Sequence, residues 1–163
     1  MAAGGTVAET AIISDPARGI PKESTRYGPC VRDRPMANNI TSYRDLIVWQ
    51  KALDLADLVY TLTERFPKRE QFGLAFQMRK ASVSVPSNIA EGHRHRTPGY
   101  IARVIIALGE HAELETQALL ARRRNYIRTD DMETLNALAT QVGELAHGLL
   151  RSLEARQASQ SNP

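Results

Sequence analysis

From residue 42 onward, apolar residues recur at steps of three and four with polar residues between them, the period of helices buried on one side. Ser42 and Asp45 match the S-x-x-[DE] capping box, in which each side chain satisfies the other residue's free N–H. The stripe Leu46, Trp49, Leu53, Ala56, Val59 or Tyr60, Thr63 and Phe66 follows, and Pro67 ends it. This predicts a first helix of about 23 residues, roughly 35 Å long at about 1.5 Å per residue. A second helix is expected to begin between Gln71 and Leu74, on the stripe Phe72, Ala75, Met78, Ser82, Val85 and Ile89. The alternation S-V-S-V at 82–85 is strand-like, but it is too short to outweigh a helical stripe running through it on both sides. Pro86 then falls inside the helix, where it removes one N–H and crowds the Ser82 carbonyl, so a kink is expected, with Ser82 and Ser87 relieving the freed groups. Gly92 suits a left-handed residue closing the helix.

A third helix is expected from Pro98 to Asn125, capped by Thr97. It carries two apolar stripes: Ile101, Ile105, Leu108, Ala112 and Leu119, and Val104, Ala107, Leu114, Ala118 and Ala121. A helix apolar on two sides requires two neighbours, or one neighbour and another subunit. The fourth helix opens at Thr129, with Asp130, Asp131 and Glu133 in a first turn that favours negative charge. Its seam is Leu135, Leu138, Val142, Leu145, Leu149 and Leu153. With no strand candidate left, the pattern predicts an all-α protein, an up-down-up-down antiparallel four-helix bundle over residues 41–156. Residues 157–163 are expected to be a disordered tail.

The first 40 residues behave differently. Four of the eight prolines (Pro16, Pro21, Pro29, Pro35) lie there, and the apolar residues follow neither period. Such a segment buries too little to offset its ordering entropy, so a disordered N-terminal extension is expected. Met36 opens MANNITSYRDL, which also reads as an ordinary protein start. The lone cysteine, Cys30, excludes an internal disulfide and a multi-cysteine metal site. No run approaches the roughly 18 apolar residues of a membrane span, and the N-terminus lacks a secretory pattern, so a cytoplasmic protein without a membrane partner is expected. A formal charge of +3, from 21 basic and 18 acidic residues, indicates a nucleic-acid partner only where the cations cluster.

The segments SYRDLIVWQKALDLADLVYTLTERFP, EQFGLAFQMRKASVSVPSNIAEG and IALGEHAELETQALLARRRNYI closely resemble the 23S rRNA-intervening sequence proteins, with VWQKA, VPSNIAEG and ELETQ in family order. The resemblance runs from Ile40 to Ile127 and, more loosely, through the last helix. It implies a four-helix bundle assembling as a homopentamer. The accessory protein of diversity-generating retroelements is a relative, a basic pentamer that binds nucleic acid and a reverse transcriptase. The chain departs from the family pattern in three places. HRHRTPGY replaces a glycine–arginine turn followed by S-x-x-[DE], Gly109-Glu110 stands at a glycine–serine pair, and Arg124-Asn125-Tyr126 at a leucine–glycine–tyrosine.

In an up-down bundle, Lys68 and Arg69 share an end with Arg122, Arg123, Arg124 and Arg128. His93, Arg94, His95 and Arg96 occupy the opposite end, near Arg44. These clusters read either as rims contacting the phosphates of RNA or DNA, or as solvated helix ends where cations meet C-terminal dipoles. Glu144 and His147 form a single E-x-x-H, whereas carboxylate-bridged metal bundles need two such motifs and two further glutamates. The simpler reading of Glu144, His147 and Arg151 is a polar face, and of His93-x-His95 an exposed turn. Ser82, Ser84 and Ser87 have no histidine at helical spacing, and Glu113 and Glu115 face different sides of their helix. Neither a catalytic residue, a metal site nor a cofactor is therefore expected. Structural duties are expected of Trp49 as a buried anchor, of Pro86, of Asn88 bonding across to another helix, and of Gly92.

Overall fold

A computed structural model describes residues 40–161. Among these residues the secondary structure is helical throughout, in four long helices: α1 (Ile47–Thr63), α2 (Leu74–Gly92), α3 (Thr97–Arg123) and α4 (Thr129–Ser161). They form a four-helix bundle in which each helix packs on its sequence neighbours and α1 closes the ring against α4. The extension expected over residues 1–40 lies, up to residue 39, outside the described residues. None of the described helices is long and apolar enough to cross a membrane.

The Ser42 capping box forms, with Ser42 accepting from the Arg44 N–H and Asp45 from the Ser42 N–H, but it caps a separate 3-10 turn, Tyr43–Asp45. Leu46 is extended, so the first helix starts at Ile47 and ends at Thr63, shorter than the single run expected. Of the expected stripe Leu46, Ala56, Val59, Thr63 and Phe66 are buried, and Val48, Ala52, Leu55 and Leu62 join them in the core, while Leu53 and Tyr60 are exposed. Trp49 is half-buried at the core's margin, edge-to-face on Tyr43 at 5.2 Å, rather than a fully buried anchor.

On α2 the expected Ala75, Met78, Ser82, Val85 and Ile89 are buried, but Phe72 lies outside the helix and is exposed. Pro86 is buried within a helix that continues to Gly92. The nearby hydroxyls do not turn to the Ser82 carbonyl: Ser82 donates to Arg79 O at 2.9 Å and Ser87 to Val83 O at 2.8 Å. Gly92 is not a left-handed cap. The residue after it, His93, stays right-handed, and the glycine is needed for space. A Cβ at Gly92 would stand 2.5 Å from Tyr100 Cδ2 and 2.9 Å from Arg103 Cβ, so absence of a side chain lets the α2 end approach α3.

Thr97 is the first residue of α3 rather than its cap, and Arg96 precedes it without any side-chain cap. The α3 end is a left-handed closure at Asn125 (φ 59°), with the Tyr126 N–H donating to Ala121 O at 2.9 Å. Asparagine is among the few residues with a side chain that tolerate this conformation. Val104, Ala107, Leu114, Ala118 and Ala121 form the buried stripe; Ile105 and Leu119 of the other stripe face outward, with Ile106 and Leu120 beside them. Leu135, Val142 and Leu153 of α4 are buried, and Leu138, Leu145 and Leu149 pack partly buried around them. The helix continues past residue 156, where a tail was expected, as far as Ser161.

Candidate nucleic-acid interface

The connections at 64–73 and 124–128 meet at one end of the bundle. Tyr126 joins them: its ring packs on Phe66 at 5.4 Å, and its hydroxyl donates to Glu70 Oε1 at 3.2 Å. Glu70 also accepts from the Leu74 N–H through Oε2, capping the start of α2 where negative charge is favoured. Arg69 Nη2 donates to the same Tyr126 hydroxyl at 3.2 Å, and this bond raises the Arg69 pKa above its ordinary value. Thus Lys68 and Arg69 stand at one end with Arg122–Arg124 and Arg128.

The cations at this end have different partners. Asp131 is buried, and its Oδ2 accepts from both Arg65 Nη1 at 3.0 Å and Arg128 Nε at 3.1 Å. Arg128 also faces Asp130, and its pKa is raised, chiefly by the bond to Asp131. Arg122 Nη2 donates to Thr129 Oγ1 at 2.7 Å, tying the end of α3 to the start of α4. These arginines stitch the two connections together. Lys68, Arg123 and Arg124 are exposed, and none of them has a side-chain partner among the described residues. Arg69 is largely exposed but has Glu70 Oε1 3.9 Å from its Nε besides the Tyr126 hydroxyl, so Lys68, Arg123 and Arg124 are the cations left for an outside anion.

At the α2–α3 connection, Arg94 and Arg96 are likewise exposed and unpartnered among the described residues. The surrounding groups are engaged: Arg103 pairs with Glu91 and donates from Nη1 to Asn88 Oδ1 at 3.3 Å, while His95 Nε2 lies 3.9 Å from Glu91. Asn88 therefore spans α2 and α3, its Nδ2 also donating to the Ser84 carbonyl at 2.9 Å. Arg44 sits instead over the Tyr43 ring, 5.6 Å from its centroid. Glu144 and His147 are both exposed on α4, and the described residues contain no group of three or more metal-ligating side chains placed to share an ion.

Two buried polar groups extend the inward face of α3. His111 Nε2 is 2.8 Å from the Ala139 carbonyl of α4, with Glu115 at 3.5 Å from Nδ1, and its ring packs against Gly143, where a Cβ would be 3.3 Å away. Tyr100 is 8% exposed beside Val104 and Leu153, and its hydroxyl has no hydrogen-bond partner. Both sit on the inward stripe of α3, His111 four residues after Ala107 and three before Leu114, and Tyr100 four before Val104, so their spacing was the signal and their polar character hid it. Glu70 and Tyr126 were silent as a pair, being far apart in sequence.

No curated protein matches the chain. Among solved structures, a protein of unknown function from the S23 ribosomal protein family of Bacteroides thetaiotaomicron VPI-5482 superposes with a TM-score of 0.60 at 24% identity, covering 64% of this chain and 98% of the other. That likeness carries the fold. The model of the 23S rRNA-intervening sequence proteins matches residues 44–148, well over half the chain and all but the last part of the bundle. The chain belongs to the 23S rRNA-intervening sequence protein family.

Proposed function

We propose that this protein is a non-enzymatic, oligomeric four-helix-bundle protein of the cytoplasm that binds RNA or DNA through a basic rim. The observation that carries this reading is the set of exposed cations without carboxylate partners at one end, Lys68, Arg123 and Arg124, with Arg69 beside them. Cations already neutralised by a buried aspartate contribute little to an outside phosphate; unpaired ones release counterions when they bind. The helices run alternately up and down in this reading, supported by the short connections and by the meeting of 64–73 with 124–128. Oligomerisation, in a ring of five as the family resemblance implies, is supported by the outward Ile105, Ile106, Leu119 and Leu120, an apolar strip that a monomer would leave in water. Action by binding rather than catalysis agrees with the serines of α2, where the Ser82 and Ser87 hydroxyls are engaged by backbone carbonyls.

The test is fluorescence anisotropy of a structured RNA and a DNA duplex at low and moderate salt. Affinity should fall steeply with salt, and Arg123→Ala combined with Arg124→Ala should flatten the log–log slope by about 0.7 to 0.9 for each phosphate no longer neutralised. Salt-independent binding, or none at low salt, refutes the rim. The same α3 strip favours a second reading, a module docking another protein such as a reverse transcriptase. A monomer in light scattering would favour that reading over self-assembly.

A further inference from the structure

Phe72 is 85% exposed, the most open of the large apolar side chains described, and Phe76, one turn further on, is 51% exposed. The other described aromatic rings near this end have neighbours: Phe66 packs on Tyr126, and the Tyr60 ring is covered by the Arg79 guanidinium at 4.9 Å. Phe72 and Phe76 enter no such ring or cation contact among the described residues. Lys80, exposed and without a side-chain partner among the described residues, continues the series four residues beyond Phe76. Residues four apart on a helix lie on one face, so Phe76 and Lys80 form a ridge along α2, and Phe72 stands just before the α2 start. Before it in the chain stand Lys68 and Arg69, four and three residues ahead of Phe72.

We propose that Phe72 and Phe76 are a stacking platform for unpaired nucleobases, so that the preferred ligand of the basic rim is single-stranded nucleic acid. This rests on the rim reading above and adds the ligand class. Two kinds of complementarity meet at one place. A duplex offers a rim only phosphates, and its bases are already stacked. A single strand offers phosphates and free π-faces together, and every base has such a face. Open phenyl rings next to exposed cations match the second ligand and are of no use to the first. An exposed phenyl ring is otherwise unfavourable in water, whereas solvated cations alone would serve solubility. Lys80 extends the charge along the ridge, in line with a backbone that continues past the second ring.

The experiment uses the full chain with fluorescein-labelled 20-nucleotide oligomers: single-stranded RNA, single-stranded DNA, and the DNA duplex. Phe72→Ala with Phe76→Ala should weaken single-strand binding by about 5- to 150-fold per ring, leaving duplex binding and the salt slope unchanged. Arg123→Ala with Arg124→Ala should weaken binding to all three. Comparing the RNA and DNA strands shows which of the two supplies the bases. Phe72→Trp should retain the affinity, and the introduced indole should be quenched on adding the strand. If the phenylalanine variant binds the single strand like the parent while the arginine variant does not, stacking is refuted and the rim stands. If the parent binds none of the three, both readings fall. Light scattering of the phenylalanine variant should match the parent; a change of assembly state would place the rings in a subunit contact and refute the platform.

Discussion

Replacing Tyr100 with phenylalanine isolates one atom. The Tyr100 ring fills the space between Gly92, Val104 and Leu153, and its hydroxyl is buried without a hydrogen-bond partner. Such a hydroxyl gave up water on folding and received nothing, a loss of about 1–3 kcal/mol. Tyr100→Phe keeps the ring and removes the loss, so the variant should be more stable than the parent at pH 7, by about 1 kcal/mol. Burial also pushes the Tyr100 pKa from 10.0 up to about 12. Below pH 10 the phenol is neutral in both folded and unfolded chains, and its titration contributes no difference. Between pH 10 and 12 the unfolded chain ionises while the folded one does not. The folded state of the parent therefore loses stability as pH rises, by about 1.4 kcal/mol at pH 11 and somewhat more by pH 12. Phenylalanine cannot ionise, so the stability gap between variant and parent should widen from about 1 to about 2.4 kcal/mol between pH 7 and pH 11. Urea unfolding of both proteins, at one protein concentration and at several pH values, measures that gap, with the other titrating groups cancelling in the difference. A variant less stable than the parent at pH 7 would show that the hydroxyl has a partner. A gap that stays constant to pH 11 would refute the raised pKa.

Two further outcomes follow from the packing. Gly92→Ala gains helix propensity of about 1 kcal/mol but drives a methyl into the Tyr100 ring and Arg103 Cβ, an overpacking cost of about 1–3 kcal/mol, so the midpoint of thermal unfolding should fall rather than rise. Leu55→Ala, at a site 1% exposed, should cost about 2–5 kcal/mol in urea unfolding, while Leu53→Ala, at a site 48% exposed, should stay within about 0.5 kcal/mol. Equal losses at the two leucines would mean that the face of α1 turned to the core is wrongly placed.

These two leucines also show how far a periodic pattern reaches. Leu53 and Leu55 are chemically identical, and both fit a three-four stripe. In this helix apolar residues occupy much of the circumference, so spacing alone admits two registers. Packing against α2 and α4 decides between them, leaving Leu55 buried and Leu53 exposed. Gly92 is a similar case. A glycine near a helix end suggests a left-handed cap, and nothing local reveals that Tyr100 will lie against it. Asn125, by contrast, takes the left-handed conformation beside the helix end expected at that residue.

At the candidate interface, clustering of cations was visible in the chain and their availability was not. Arg122, Arg123, Arg124 and Arg128 look alike in sequence. Yet Arg128 is bound to a buried Asp131, Arg122 to Thr129, and only the middle two are open. The spacing of Phe72 to Ala75 and Met78 is helical, yet it lies before the helix begins and is exposed.

Residues near one another in the chain were enough to set how many helices form, roughly where each stops, and which family pattern they follow. Caps, prolines and apolar steps of three and four act locally, so they can be read along one dimension. Packing between helices settled the rest: which stripe of α1 and of α3 is turned inward, which glycine is held by contact, and which arginines keep an unpaired charge. For the stripes and for Gly92 the deciding side chains arrive from another helix, and one-dimensional spacing carries no information about those partners.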